Sequence, residues 1–127
     1  MTDVERNKQV VRDFCATAFN AKDPAGAAER FLGSQYIQHN PNAPDGKEGF
    51  VEFVSAFVSQ TPELNLDIRR IVAEDDIVVA HSLLTVVAGD RGTVVVDIFR
   101  LDDNKIVEHW DVTQPFPETS ANDHPMF

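Results

Sequence analysis

The sequence predicts an α+β fold, with three N-terminal helices packed on one face of a mostly antiparallel sheet. Apolar residues recur at helical spacing three times in the first half of the chain. In the second half the period changes, and segments rich in β-branched residues are separated by short turns. Short turns connect antiparallel neighbours. The 127 residues have the length of one domain, over residues 1–127, in which residues 115–127 form a C-terminal tail.

The first two helices follow from periodicity and from the residues at their ends. The first is predicted over residues 4–21, with Asp3 as its cap and an apolar face that comprises Val10, Val11, Phe14, Cys15, Ala18 and Phe19. Asp23 as a cap and Pro24 at the first helical position predict the start of a second helix.

A loop then separates the first short strand from the third helix. Residues 36–40 predict the strand, and residues 40–46 are turn-forming at nearly every position. A stripe of phenylalanine and valine predicts the third helix over residues 47–59. Four further strands are predicted over residues 64–68, 77–87, 93–101 and 106–114.

The strand over residues 93–101 is apolar on both of its faces. One parity carries Val94, Val96 and Ile98, and the other carries Val95, Phe99 and Leu101. A sheet with one solvated face would alternate apolar with polar residues. The helices can cover only one face, and an apolar patch of this size is rarely left exposed. We therefore expect a homodimer through the outer sheet face.

The charge balance argues against two classes of partner. The chain carries 21 acidic residues against 11 lysines and arginines, a formal net charge of −10. Nucleic acid and anionic membrane surfaces both require basic patches, so neither is expected as a partner. Cys15, the one cysteine, cannot form an internal disulfide, and the N-terminus carries no secretory pattern. A cytoplasmic location is therefore expected.

Polar residues inside the last two strands are the strongest functional signal. Parity places Asp97 on a strand face that should be core. If residues 102–104 form a three-residue hairpin loop, Asp97 lies directly opposite His109, and Asp111 lies diagonally on the same face. A buried carboxylate must be paired or protonated. The pattern fits a structural Asp–His pair or acid/base groups in a cavity, and the convergence of three titratable groups favours the cavity.

Two further histidines are candidates for the same site. His81 lies in the middle of an apolar strand, where it is either a core residue or a pocket residue. His39 precedes the Asn40-Pro41 break, which should place it beside a loop, where ligand contacts are common. No local ligand spacing such as His-x-His and no Gly-rich phosphate loop occurs in the sequence, so neither a metal nor an organic cofactor is expected.

The order of these elements resembles the NTF2-like superfamily. The resemblance is carried by residues 19–23, which end the first helix, and by the paired segments 97–101 and 105–111. Within the superfamily, the chain is most similar to the SnoaL-like group, which is named after polyketide cyclases. Tyr36-Ile37-Gln38-His39-Asn40-Pro41 and residues 121–127 resemble its SnoaL-like aldol-condensation subgroup.

The resemblance implies a cone, in which a strongly curved mixed sheet wraps around three helices, with a deep apolar pocket and usually a dimer across the sheet. Asp97 matches an aspartic acid that donates to the substrate oxyanion in ketosteroid isomerases, and Asp111 matches the water-activating aspartate of limonene-epoxide hydrolases. Two isomerase groups are replaced. Its base, an Asp before Pro, is Asn40 here, and its helical oxyanion tyrosine corresponds to Phe14 or Cys15.

The leading hypothesis is a SnoaL-like lyase or isomerase that uses general acid/base catalysis on a hydrophobic carbonyl compound, for cyclisation, aldol-type or isomerisation chemistry. Asp97 or Asp111 would be the base, and His109 and His81 would be proton donors or oxyanion partners. The expected substrate-binding residues are His39, Tyr36, Phe57 and Phe99. The alternative is a non-catalytic binding or carrier protein that holds a small apolar ligand in the same pocket.

Overall fold

The fold places three helices against a five-stranded mixed sheet, in a computed structural model that describes residues 2–127. The elements are α1 (Asp3–Cys15), a π-helical turn (Ala16–Asn20), α2 (Pro24–Phe31), β1 (Leu32–Gln38), α3 (Gly46–Gln60), β2 (Asn65–Glu74), β3 (Ile77–Thr85), β4 (Thr93–Asp102) and β5 (Lys105–Pro115). The predicted α+β class is confirmed. Among the described residues, no helix combines the length and apolar character needed to cross a membrane.

The helix starts are set by side-chain caps. At α1 the cap is Thr2 and not Asp3 as predicted, because the Thr2 hydroxyl accepts a hydrogen bond from the backbone N–H of Glu5 at 3.1 Å. At α2 the predicted cap is confirmed, since Asp23 accepts from the N–H of Gly26 at 3.0 Å and Pro24 occupies the first turn.

The first strand begins earlier than predicted and supplies the one parallel pairing of the sheet. The strand order is β1-β5-β4-β3-β2, and β1 runs parallel to β5 with Gln38 beside His109. The predicted strand at residues 36–40 covers only the end of β1, because α2 passes directly into the extended chain at Leu32. This pairing brings the end of β1, just before the loop that leads into α3, next to Glu108 and His109 of β5.

The hairpin between β4 and β5 differs from the predicted one. The loop has two residues, Asp103 and Asn104, both in the left-handed region with φ of 49° and 65°, as a tight hairpin turn requires. A bulge then separates the pairs Arg100–Glu108 and Leu101–Ile106. The predicted register is therefore wrong: beyond the bulge it is shifted by two residues along β5, and Asp97 pairs with Asp111 and not with His109.

The core lies between the inner sheet face and the helices α1 and α3. Phe14 is at its centre, and its ring lies 5.3 Å from that of Phe50 in α3 and 5.9 Å from that of Phe99 in β4. All three side chains are at most 5% exposed. Contacts among three elements at one point fix how the helices sit on the sheet, and this spacing defines the space left for a cavity.

Asn20 connects the end of the first helical segment to the open edge of the sheet. Its side-chain amide donates to the carbonyl of Leu66 at 3.0 Å and accepts from the N–H of the same residue at 2.7 Å. Since β2 is an edge strand, these peptide groups have no neighbouring strand on that side. The amide of Asn20 thus satisfies the two peptide groups that a neighbouring strand would otherwise bond.

We expect Asn20→Ala to lower the free energy of unfolding by about 1–3 kcal/mol, because two hydrogen bonds to the strand edge are lost. Urea denaturation followed by circular dichroism measures this. The matched control is Asn122→Ala, which removes a side chain that bonds only within its own exposed turn and should cost less than about 0.5 kcal/mol. Equal losses in the two variants would contradict the role given to Asn20.

Candidate functional site

A cavity of about 190 Å³ lies between the inner face of the sheet and the helices. Its apolar lining consists of six phenylalanines, Phe14, Phe19, Phe50, Phe53, Phe57 and Phe99, together with the aliphatic Ala43, Val54, Leu66, Leu84 and Val95. Six of the polar residues in the lining are called the polar cluster below: Tyr36, Gln38, Asn40, Asp97, His109 and Asp111. An apolar cavity with a few converging polar groups is typical of a small-molecule site.

Strand alternation explains why charged groups occur inside. Asp97 on β4 and His109 and Asp111 on β5 all have inward parity, and Asp97 stands directly opposite Asp111 in the register. The sequence predicted their common face correctly and their pairing incorrectly. His109 Nε2 lies 2.8 Å from Asp97 Oδ1, diagonally across the two strands, and the two residues are only 8% and 9% exposed.

The orientation of the Gln38 amide fixes one proton of His109. Gln38 Oε1 accepts from the backbone N–H of Asn40 at 3.0 Å, so this atom is an oxygen that cannot donate. His109 Nδ1 lies 2.8 Å from the same oxygen and must therefore carry a hydrogen. His109 is thus held with Nδ1 protonated.

One further proton lies between His109 and Asp97. With Nδ1 already protonated, the 2.8 Å contact between Nε2 and Asp97 Oδ1 needs a hydrogen from one side or the other. Either an imidazolium faces a carboxylate, or a neutral imidazole accepts from a carboxylic acid. In both arrangements the pair has no net charge, and it can give up one proton.

Asp111 has a different environment. Asn40 Nδ2 lies 2.9 and 3.1 Å from its two carboxylate oxygens, and the Asn40 Oδ1 accepts from the N–H of Asn42 at 2.9 Å, which fixes the amide with its NH₂ group towards Asp111. Both oxygens of Asp111 therefore accept from one amide. The polar cluster thus joins a carboxyl group that accepts hydrogen bonds to a pair that holds a proton.

Tyr36 supplies a hydroxyl to the same cluster. Its oxygen accepts from Gln38 Nε2 at 3.1 Å, and the residue is 3% exposed. Burial, and then the negative charge of Asp97, raise the pKa of Tyr36 far above its usual value, so the hydroxyl keeps its proton. Tyr36 is available as a neutral hydrogen-bond donor.

The structure brings together six of the eight residues expected at the site: Asp97, Asp111, His109, Tyr36, Phe57 and Phe99. It does not bring His81 there. His81 pairs with Val96, which has the opposite parity to Asp97, and its ring contacts Arg70 on the outer sheet face. The predicted position of His81 in the pocket is wrong. Because β3 carries apolar residues on both faces, alternation does not indicate which of its faces points inwards.

His39 also lies outside the cavity. Its ring stacks on Trp110 with 4.7 Å between centroids, and its Nε2 lies 2.7 Å from Glu108, which also accepts from Arg100 at 2.7 Å. These bonds, first to His39 and then to Arg100, lower the pKa of Glu108. The side chain of His39 is 42% exposed on the outer face, so its expected place at the pocket entrance is wrong.

Sequence reasoning did not assign Gln38 to the site, and it noted Asn40 only as the residue at the position of the isomerase base. The available signal was period two, since Tyr36, Gln38 and Asn40 alternate with residues that face outwards. Alternation alone could not place Gln38 and Asn40 at the site, because their hydrogen-bond partners lie on β5. No turn connects β1 to β5, so the sequence does not indicate that the two strands are neighbours.

Asp97, His109 and Asp111 are also the residues that could hold a metal ion. Each offers a ligand atom, and these atoms lie within 4.8 Å of one another. The hydrogen bond from His109 Nδ1 to Gln38 is of the kind that orients metal-bound histidines. The sequence-based expectation of a metal-free site stays a prediction.

Comparisons with known proteins agree on the family and fold. The profile of the SnoaL-like domain matches residues 11–109. TsrD from Streptomyces laurentii is 26% identical, with 89% of this chain and 91% of that chain covered and a TM-score of 0.74. A candidate polyketide cyclase from Acidithiobacillus ferrooxidans is 21% identical, with the same coverage and a TM-score of 0.73.

A candidate ketosteroid isomerase from Kribbella flavida is 20% identical, with 96% of this chain and 87% of that chain covered and a TM-score of 0.75. Among curated proteins, none matches the sequence of this chain.

The proton arrangement predicts a specific nuclear magnetic resonance signature. In long-range ¹H–¹⁵N spectra of the imidazole rings, His109 Nδ1 should carry a proton throughout the pH range in which the protein is folded. Gln38→Leu removes the acceptor and should release this tautomer, whereas Gln38→Glu keeps an acceptor oxygen and should retain it. An unprotonated Nδ1 in the wild-type protein would contradict the assignment.

Proposed function

The chain belongs to the SnoaL-like domain family, and we propose that it is a lyase or isomerase that uses general acid/base catalysis on a small hydrophobic carbonyl compound. The family supports a cyclase or isomerase kind of function, since similar structures are named as candidate proteins of those kinds. The proposed reaction uses side chains of the chain alone. It is the sequence-based hypothesis with His81 and His39 removed.

The observation that carries the proposal is the pairing of Asp111 with Asp97 across two strands. Directly opposed residues on one sheet face have Cβ atoms about 5 Å apart. A carbonyl compound in the cavity can therefore present its α-carbon to Asp111 and its oxygen to the Asp97–His109 pair. Carboxyl groups in unlike environments take the base and acid roles separately.

Protons and charge balance in this scheme. Asp111 takes a proton from the α-carbon, and the electron pair of the broken C–H bond forms the enol double bond. The carbonyl oxygen receives the proton held between Asp97 and His109, so the neutral pair becomes an anion as the Asp111 carboxylate becomes neutral. Return of the Asp111 proton to the same or another carbon, with return of the enol hydroxyl proton to the Asp97–His109 pair, gives exchange or isomerisation. Attack of the enol carbon on a second carbonyl gives aldol-type cyclisation, in which the enol hydroxyl proton returns to the pair and the new alkoxide takes the proton from Asp111.

Solvent hydrogen exchange tests the proposal without knowledge of the natural substrate. The probe is acetophenone in D₂O, whose methyl protons exchange through the enol and are followed by proton NMR. We expect the wild-type protein to accelerate exchange, and Asp111→Asn to lose about 10²-fold or more of the acceleration, because the base is removed. Asp97→Asn should also lose activity, because the acid pair is broken.

The matched control is Asp67→Asn, a carboxylate of β2 that bonds to Arg69 outside the cavity and should leave exchange unchanged. Treatment with EDTA should also leave it unchanged. Loss of exchange with EDTA and its recovery with added Zn²⁺ would contradict the metal-free scheme. If acetophenone binds and exchange is no faster than in buffer, the carrier alternative is favoured and the proposed catalysis fails.

We also propose that the chain forms a homodimer through the outer sheet face. Val72, Val79, Ile98 and Trp110 stand side by side across four strands of that face. Val72 is 61% exposed, and Val112, in the next row, is 65% exposed. An apolar row of this length is typical of an interface between subunits.

Val112→Lys should weaken the dimer by about tenfold or more, since it places a charge in an apolar contact. Size-exclusion chromatography with light scattering at micromolar concentrations measures the mass. Val87→Lys is the control, because Val87 is 54% exposed in a loop beyond β3 and should leave the dimer intact. A wild-type monomer at these concentrations would contradict the proposal.

A further inference from the structure

The Tyr36 hydroxyl has a proton that no group in residues 2–127 accepts. Its oxygen accepts from Gln38 Nε2, and in the described part of the chain it takes part in no other hydrogen bond. The residue lines the cavity and is 3% exposed, so its donor is directed at buried space. A buried donor without an acceptor costs free energy, and an oxygen atom of a ligand would remove this cost.

The same part of the cavity holds the proton shared by Asp97 and His109. Tyr36 and this pair are joined through Gln38, which bonds to the Tyr36 oxygen and to His109 Nδ1. The Tyr36 hydroxyl can donate to an oxygen atom there, and the pair can transfer its shared proton to the same atom as that atom gains negative charge. Buried donors of this kind stabilise an oxyanion well, because they need no rearrangement.

The size of the cavity limits what can carry that oxygen. Pockets for drug-sized ligands enclose about 300–1,000 Å³. An engineered apolar cavity of about 150 Å³ binds benzene. The cavity here, at about 190 Å³, exceeds the benzene site by only a small margin. Its enclosed part accommodates one ring with a short substituent, so the further rings of a fused system would have to lie towards the open side.

The walls favour a planar ring. Phe14 and Phe50 lie at the closed side, at most 5% exposed, and Phe53 lies at the open side with 38% exposure. Aromatic side chains on several sides give face and edge contacts to a flat ring. A second ring within the enclosed part would have to displace Phe14 or Phe50, and overpacking is destabilising.

We propose that the ligand is a compound with a single ring that carries an enol, enolate or phenol oxygen, held by Tyr36 and the Asp97–His109 pair with its ring among the phenylalanines. The proposal rests on the proposed acid/base function and narrows its substrate class to one-ring, enolisable carbonyl compounds. Tyr36 then binds the carbonyl oxygen as it becomes an enol.

Phenols test the proposal directly, since a phenol is a stable aromatic enol. The probes are phenol, naphthol and phenanthrol, with toluene as a probe of similar shape that lacks the oxygen, and binding is measured by isothermal titration calorimetry. We expect phenol to bind about tenfold or more tightly than toluene, and naphthol to bind about tenfold or more weakly than phenol. Phenanthrol should not bind.

Two variants separate the oxygen subsite from the ring subsite. Tyr36→Phe should weaken phenol about tenfold and leave toluene unchanged, because it removes one hydroxyl and keeps the ring. Phe53→Ala should strengthen naphthol relative to phenol, and its fold should tolerate the change because Phe53 is already partly exposed. Val87→Ala, outside the cavity lining, is the control for both.

Equal binding of toluene and phenol would overturn the oxygen subsite, and tighter binding of naphthol or phenanthrol than of phenol would overturn the size limit. These outcomes are independent of turnover. Selective phenol binding without acetophenone exchange would support the ligand class and contradict the proposed catalysis. If the protein accelerates acetophenone exchange but prefers three-ring phenols, the proposed catalysis is supported and the one-ring ligand class is contradicted.

Discussion

The structure depends on a carboxylic acid group that is kept satisfied inside an apolar sheet face. Asp97 is 9% exposed, and burial of an unpaired carboxylate would cost several kcal/mol. Its partner His109 stands on the next strand, and Gln38 on the strand beyond holds the other side of the imidazole. One chain of hydrogen bonds therefore crosses β4, β5 and β1. The parallel pairing of β1 with β5 places Gln38 beside His109 and so completes this chain.

Alternation along β1 and β5 separates two ionic groups by the thickness of one sheet. Glu108 faces outwards to His39 and Arg100, while its neighbour His109 faces inwards to Asp97. The outer group is partly exposed, so solvent and salt screen its charges. Asp97 and His109 of the inner group are at most 9% exposed, so solvent screens their charges less. This contrast is the physical reason to assign acid/base chemistry to the inner face.

The sequence predicts the class of the fold and the inward parity of the three titratable groups, because both depend on short-range periodicity. It could not predict the register of Asp97, since a two-residue turn and a bulge together replaced the simple loop. His81 was misplaced because alternation is uninformative in a strand that is apolar on both sides. The contributions of Gln38 and Asn40 depend on a parallel pairing between strands that are far apart in sequence, and no local pattern records such a pairing.

Asn40 gives Asp111 a hydrogen-bond partner that differs from the partner of Asp97. An aspartate at this position would put a second negative charge about 3 Å from Asp111, and two carboxyl groups so close would share a proton and lose the free base. The Asn40 amide instead carries no charge and donates to both oxygens of Asp111. Its own carbonyl is occupied by Asn42, so it cannot turn round to accept. The proposed role of Asp111 as the base requires it to be the carboxylate of the polar cluster, and the orientation of the Asn40 amide supports that proposal.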